Sequence, residues 1–128
     1  MSAHARPFLV ASALLACSGV ALAALGAHAF ADLLVGSAAT RFETAQRMHL
    51  LHAPALLALA VAHHRSDERW WLAACWLVLI GVLVFAGGLY AAALGLGTAL
   101  LPIVPWGGSA MMLGWLAAAV GFGRGPRG

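Results

Sequence analysis

Residues 41–62 read RFETAQRMHLLHAPALLALAVA, and the fold turns on whether this stretch crosses a membrane. Its uninterrupted apolar part, Ala53–Ala62, is too short for a hydrocarbon core of about 30 Å, which takes about 20 residues of helix. A spanning helix must therefore begin earlier, among polar residues. Thr40-Arg41-Phe42-Glu43 has the form of a capping box, in which a hydroxyl and a carboxylate satisfy free amides of the first turn. The pattern predicts a helix over 41–62. Its first half then carries Glu43, Gln46, Arg47, His49 and His52, side chains that lipid does not tolerate unless they face protein, water or headgroups. Pro54 removes one helical hydrogen bond and is expected to kink the segment.

Three further segments flank this one. From Pro7 to Phe30 no charge occurs, so a helix over 7–30 is long enough to span with some tilt. Arg6 and the small-x-small pattern Ala21-Leu22-Ala23 resemble a cleaved signal peptide, but the apolar run continues through Ala29 and exceeds a usual signal core. A third helix is expected over 68–94. Asp67 and Glu68 suit its amino terminus, Trp70 and Trp71 mark a membrane interface, and Gly81, Gly87 and Gly88 permit close backbone approach. Gly95 to Pro105 reads as an interfacial loop punctuated by Gly95, Gly97, Pro102 and Pro105. The last helix is expected over 105–122, with proline in its first turn and Ala110 and Gly114 on a small-residue contact face.

Composition agrees with this reading. Of 128 residues, 63% are hydrophobic and 9% charged, with a mean hydropathy of +0.94, whereas a soluble domain is about a quarter charged. The expected fold is all-α, an integral membrane bundle of four transmembrane helices forming a single domain over 1–128. Charge excludes nucleic acid as a partner, because seven arginines without lysine are scattered and form no basic run. They serve as topology signals. Arg6, Arg65, Arg69, Arg124 and Arg127 fall at the termini and second loop, against Arg41 and Arg47 on the other side, which puts both termini in the cytoplasm. Cys17 and Cys75 stand alone in apolar segments and read as buried free thiols with no disulfide.

Four groups of residues carry a family resemblance: Ala24-Leu25-Gly26-Ala27-His28, then Phe42-Glu43-Thr44-Ala45 through His52-Ala53, then Phe85-Ala86-Gly87-Gly88-Leu89-Tyr90, and finally Pro105-Trp106-Gly107-Gly108 to Gly114-Trp115. In this order and spacing the chain resembles the YgdD-like small inner-membrane protein family, domain of unknown function family 423 (DUF423). The resemblance implies a multi-pass protein of the bacterial inner membrane and carries no biochemical activity with it. The chain departs from the family pattern at Met48 and His49, where a Tyr-Gln pair is usual, and at Pro54, so the resemblance assigns no role to His49. Gly26, Gly87, Gly88, Gly107, Gly108 and Gly114 are the expected helix-packing positions.

The candidate polar cluster is His28, Glu43, Arg47 and His52. Glu43 and Arg47 are four residues apart in the favourable order for a helical ion pair. Their functional alternative is an anion or lipid-headgroup site at Arg47, or a proton acceptor at Glu43. His28 and His52 are expected to meet, because the first loop is short; they would form a structural contact, or less simply ligate haem or a metal, which wants further ligands and oriented partners. His63 and His64 read as part of a solvated charged turn. Neither serine nor threonine has a base at recognisable spacing, so no catalytic residue, metal site or cofactor is assigned. The leading reading is a non-enzymatic protein that assembles with lipid, with itself or with a membrane-protein partner. The alternatives are a small transporter or proton-coupled permeation unit along Glu43-Arg47-His52 and His28, and a histidine-based metal or haem protein.

Overall fold

The computed structural model describes residues 3–125; Arg127, counted above as a topology signal, lies outside them. Four long helices follow in chain order, α1 (Arg6–Ala27), α2 (Ser37–Ser66), α3 (Arg69–Ala93) and α4 (Val104–Arg124), with a 3-10 turn at Leu101–Ile103 before α4 and no strand among the described residues. Arg6–Ala27, Arg69–Ala93 and Leu101–Arg124 are long and apolar enough to cross a membrane. The longest helix, α2, has 30 residues and is the least apolar of the four.

Several expected boundaries move, each for a local reason. The first helix stops at Ala27 and not at Phe30, because His28 leaves the helical region at φ −121° and the Phe30 amide wraps back to the Leu25 carbonyl at 2.8 Å. Twenty-two residues already exceed the hydrocarbon thickness at ~1.5 Å each. The capping box at Thr40 does not form. Gly36 takes φ 59°, a left-handed turn that glycine adopts without steric cost, so α2 starts at Ser37 and Thr40 already lies inside it. There its hydroxyl donates to the Gly36 carbonyl at 3.4 Å. Asp67 does not cap α3 either. It sits at the carboxyl end of α2 with φ 47°, its amide bonded to the His63 carbonyl at 2.9 Å, and Glu68 precedes α3 with no side-chain cap.

Each helix leans mainly on its chain neighbours, and α1 touches α3 only lightly. The tightest interface is α3 with α4. On α4, Gly107, Met111, Gly114, Ala118 and Gly121 are all buried; their alternating steps of four and three make one seam. A Cβ on Gly107 would lie 2.6 Å from the Phe85 amide nitrogen and 2.8 Å from the Gly81 carbonyl oxygen, and one on Gly114 would lie 3.1 Å from the Val78 nitrogen. The backbones meet because these side chains are missing. Ala110, expected on this face, is only half-buried.

Of the other expected packing glycines, Gly26 lies under the Phe42 ring and Gly88 against Val104, whereas Gly108 makes only ordinary contact with Phe85 and Gly87 opens onto empty space. Trp71 is buried against Gly121 and Phe122, serving packing more than the interface. Trp70 lies beneath the Arg69 and Arg124 guanidinium groups at 5.4 and 5.5 Å. Cys75 is buried, but Cys17 faces outward from α1. The main core joins all four helices through Phe8, Leu56, Val78, Val82, Met111 and Ala118.

Candidate functional site

The polar residues of α2 are arranged by the 3.6-residue period. Gln46, His49 and His52 recur every third residue, so they fan around the helix and reach different neighbours. Gln46 points to both α1 and α3, its Nε2 donating to the Tyr90 hydroxyl at 2.7 Å and to the Gly19 carbonyl at 3.3 Å. His49 is 4% exposed. Its Nδ1 lies 3.0 Å from the Tyr90 hydroxyl and its Nε2 3.2 Å from Ser18 Oγ, which itself reaches the Leu15 carbonyl at 3.2 Å. One proton assignment satisfies every group. Ser18 donates to Leu15, so its oxygen accepts from His49 Nε2–H; Nδ1 is then bare and accepts from the Tyr90 hydroxyl, whose oxygen accepts from Gln46. The opposite tautomer would leave the Tyr90 proton without an acceptor. These bonds run laterally, from α3 through α2 to α1, and Phe42 and His49 pack edge-on against the Tyr90 ring with centroids 5.2 and 5.8 Å away.

A second lock joins α2 to α4. Trp115 Nε1 donates to His52 Nε2 at 3.0 Å, and His52 Nδ1 lies 2.8 Å from the Met48 carbonyl. An indole nitrogen only donates, so Nε2 holds the lone pair and Nδ1 the proton. The imidazole is neutral, with both nitrogens engaged and no lone pair left for a metal.

The structure separates the residues that the sequence grouped. His28 sits exposed at the end of α1, while His52 is 4% exposed and about 22 Å along α2 from Ser37, at ~1.5 Å per residue; they do not meet. Glu43 and Arg47 do meet, at 3.3 Å, but their side chains are 74% and 70% exposed, where such a pair contributes a few tenths of a kcal/mol. The stripe Glu43-Arg47-His52 is thus an outer ion pair and an inner lock, on different faces. Among the described residues no group of three potential ligands gathers for a metal ion. His63, read as solvated, is 2% exposed, and its Nε2 is 3.9 Å from an Asp67 carboxylate oxygen.

Of this network, Gln46 and His49 were read from the sequence as polar residues needing a face away from lipid but were left out of the candidate cluster, and Ser18 and Tyr90 were passed over. One signal was available: Tyr90 is the only tyrosine in the chain, and a hydroxyl in an apolar helix needs a partner.

The family model described as "Protein of unknown function (DUF423)" matches residues 22–108. The chain belongs to the DUF423 family. It is similar to a UPF0382 membrane protein of Haemophilus influenzae, 35% identical over 80% of this chain and 82% of that one. It also resembles a UPF0382 membrane protein of Staphylococcus epidermidis, 30% identical over 90% and 93%, and the UPF0382 inner membrane protein YgdD of Escherichia coli K12, 30% identical over 80% and 78%. No solved structure matches. This DUF423 protein is therefore a small helical membrane protein of a family without an assigned activity. The family match includes Gln46, His49, His52 and Tyr90 and stops short of Trp115.

Proposed function

We infer that this DUF423 protein is a non-enzymatic, four-span protein of the bacterial inner membrane that acts within the bilayer plane, by holding lipid or a protein partner, a second copy of itself included. The observation that carries the reading is the closed hydrogen bonding of one interior group: Ser18, Gln46, His49, His52, Tyr90 and Trp115 satisfy one another or backbone carbonyls. Polar groups spent in this way stitch helices together, and none of these six is left as an activated nucleophile or general base. What the molecule offers outward is apolar surface along all four helices, including Val20, Leu51, Trp76 and Met112.

The fourth span is α2. Its ~45 Å length matches a bilayer with headgroups, about 40–45 Å. Gln46, His49 and His52 lower its hydropathy, yet they turn toward protein and not lipid. Purification in mild detergent followed by mass spectrometry of everything that co-elutes tests the function. Retained lipid or a stoichiometric protein is expected; a tightly held small-molecule substrate turned over on incubation would reject the non-enzymatic reading.

A further inference from the structure

Along the flank between α2 and α4 lies a groove of about 500 Å³, walled by Met48, Leu51, Ala55, Pro105 and Met112 and floored by Phe85. We propose that this groove holds one acyl chain of an anionic phospholipid, with the lipid phosphate seated on Arg41. The proposal deepens the lipid-holding reading above and rests on α2 crossing the bilayer.

The wall chemistry selects an aliphatic occupant. The two polar side chains in the lining are already spent: His52 between Met48 and Trp115, and Ser109 donating to the Pro105 carbonyl at 3.0 Å. No donor is left, and the Ser109 oxygen is the one side-chain acceptor still open, so a polar ligand would lose its own hydration with little compensation. Size selects a chain over a helix. An α-helix with side chains is about 10–12 Å across, so one lying along the groove would need well over twice this volume. In a bilayer such a recess cannot stay empty without forfeiting dispersion contacts on both sides, and water finds little to bond there.

The headgroup end follows from helical spacing. Arg41 lies on the stripe of α2 that continues through Met48, His52 and Ala55, in steps of seven, four and three residues, which is one face of the helix. It stands about 10 Å above Met48 along the axis, at headgroup level. Arg47 points about a third of a turn away and is taken by Glu43, whereas among the described residues Arg41 is in no ion pair. Arginine on this side also runs against the charge rule that orients the chain, so Arg41 is not explained as a topology signal. A guanidinium facing a phosphate makes strong, geometrically defined hydrogen bonds.

The test is native mass spectrometry of the full chain, delipidated and titrated with phosphatidylglycerol or with phosphatidylcholine of identical acyl chains. One phosphatidylglycerol per chain is expected to bind about tenfold more tightly than phosphatidylcholine, whose choline ammonium offsets the charge of the same phosphate and repels the Arg41 guanidinium. Arg41→Gln should erase that preference. Ala55→Phe combined with Ser109→Leu, which fills the groove, should weaken both lipids while helicity and melting temperature stay near wild type. Equal affinity for the two lipids, or unchanged binding to the filled variant, overturns the proposal; so does a dimer that the filled variant dissolves, which would make the groove a subunit interface. Should the filled variant fail to fold, wild type loaded with phosphatidylglycerol carrying a mid-chain diazirine decides the matter. Crosslinks concentrated on Leu51, Met112 and Trp115 are expected, and crosslinks spread evenly over the lipid-facing residues of α1 refute it. Reporter fusions at Gly36 and Ser66 separate this from the parent reading: opposite sides leave α2 spanning and confine any failure to the groove, whereas the same side fails the four-span reading itself.

Discussion

The Tyr90 hydroxyl accepts from Gln46 and donates to His49 within the bundle. Tyr90→Phe keeps the ring against Phe42 and removes both bonds, so it should cost about 1–2 kcal/mol. His49→Leu should cost a similar amount, and the double variant less than the two together, because each single change orphans the same contact. Melting in detergent measures this, and strictly additive losses would reject the network. A contrasting control is Glu43→Ala, where an exposed pair predicts a change of a few tenths of a kcal/mol.

His63, near the carboxyl end of α2, is 2% exposed and 3.9 Å from an Asp67 carboxylate oxygen. Sequence reading missed this burial because His63 sits among charges, and burial depends on how α2 packs against the rest of the chain.

At the scale of elements, α3 and α4 are held together by absence of side chains as much as by contact. Gly107→Val would drive a Cβ into the Phe85 and Gly81 backbones, which cannot rotate aside as a side chain can, so the helices must part. A loss of about 1–3 kcal/mol is expected, whereas Gly87→Ala, opening onto empty space, should be neutral; equal effects would contradict the seam. Both glycines were legible as packing candidates, and sequence had no means of ranking them. Their difference is one of rotation about the helix axis, and only the neighbour's position supplies that. The same holds for the start of α2. The Thr40-Glu43 pattern was a sound local signal, overridden by the turn at Gly36.

For the whole molecule, five arginines at the termini and second loop against Arg41 and Arg47 predict both termini in the cytoplasm. A reporter active only outside the cytoplasm should be silent when fused at the carboxyl terminus and active at Gly36; the reverse would invert the topology. By itself the sequence determined that the protein is helical and apolar, where its four helices lie to within a few residues, and which family it belongs to. These follow from composition, hydropathy and local spacing, which depend on residues near one another in the chain. It did not determine which histidines meet what. His28 and His52 looked close because the loop between α1 and α2 is short, yet the rise along α2 carries His52 far from that loop and onto Trp115. Tyr90 and Ser18 reach His49 from two other helices. Only the tertiary structure decided these contacts, because each depends on the rotation and offset of one helix against another, which no local pattern encodes.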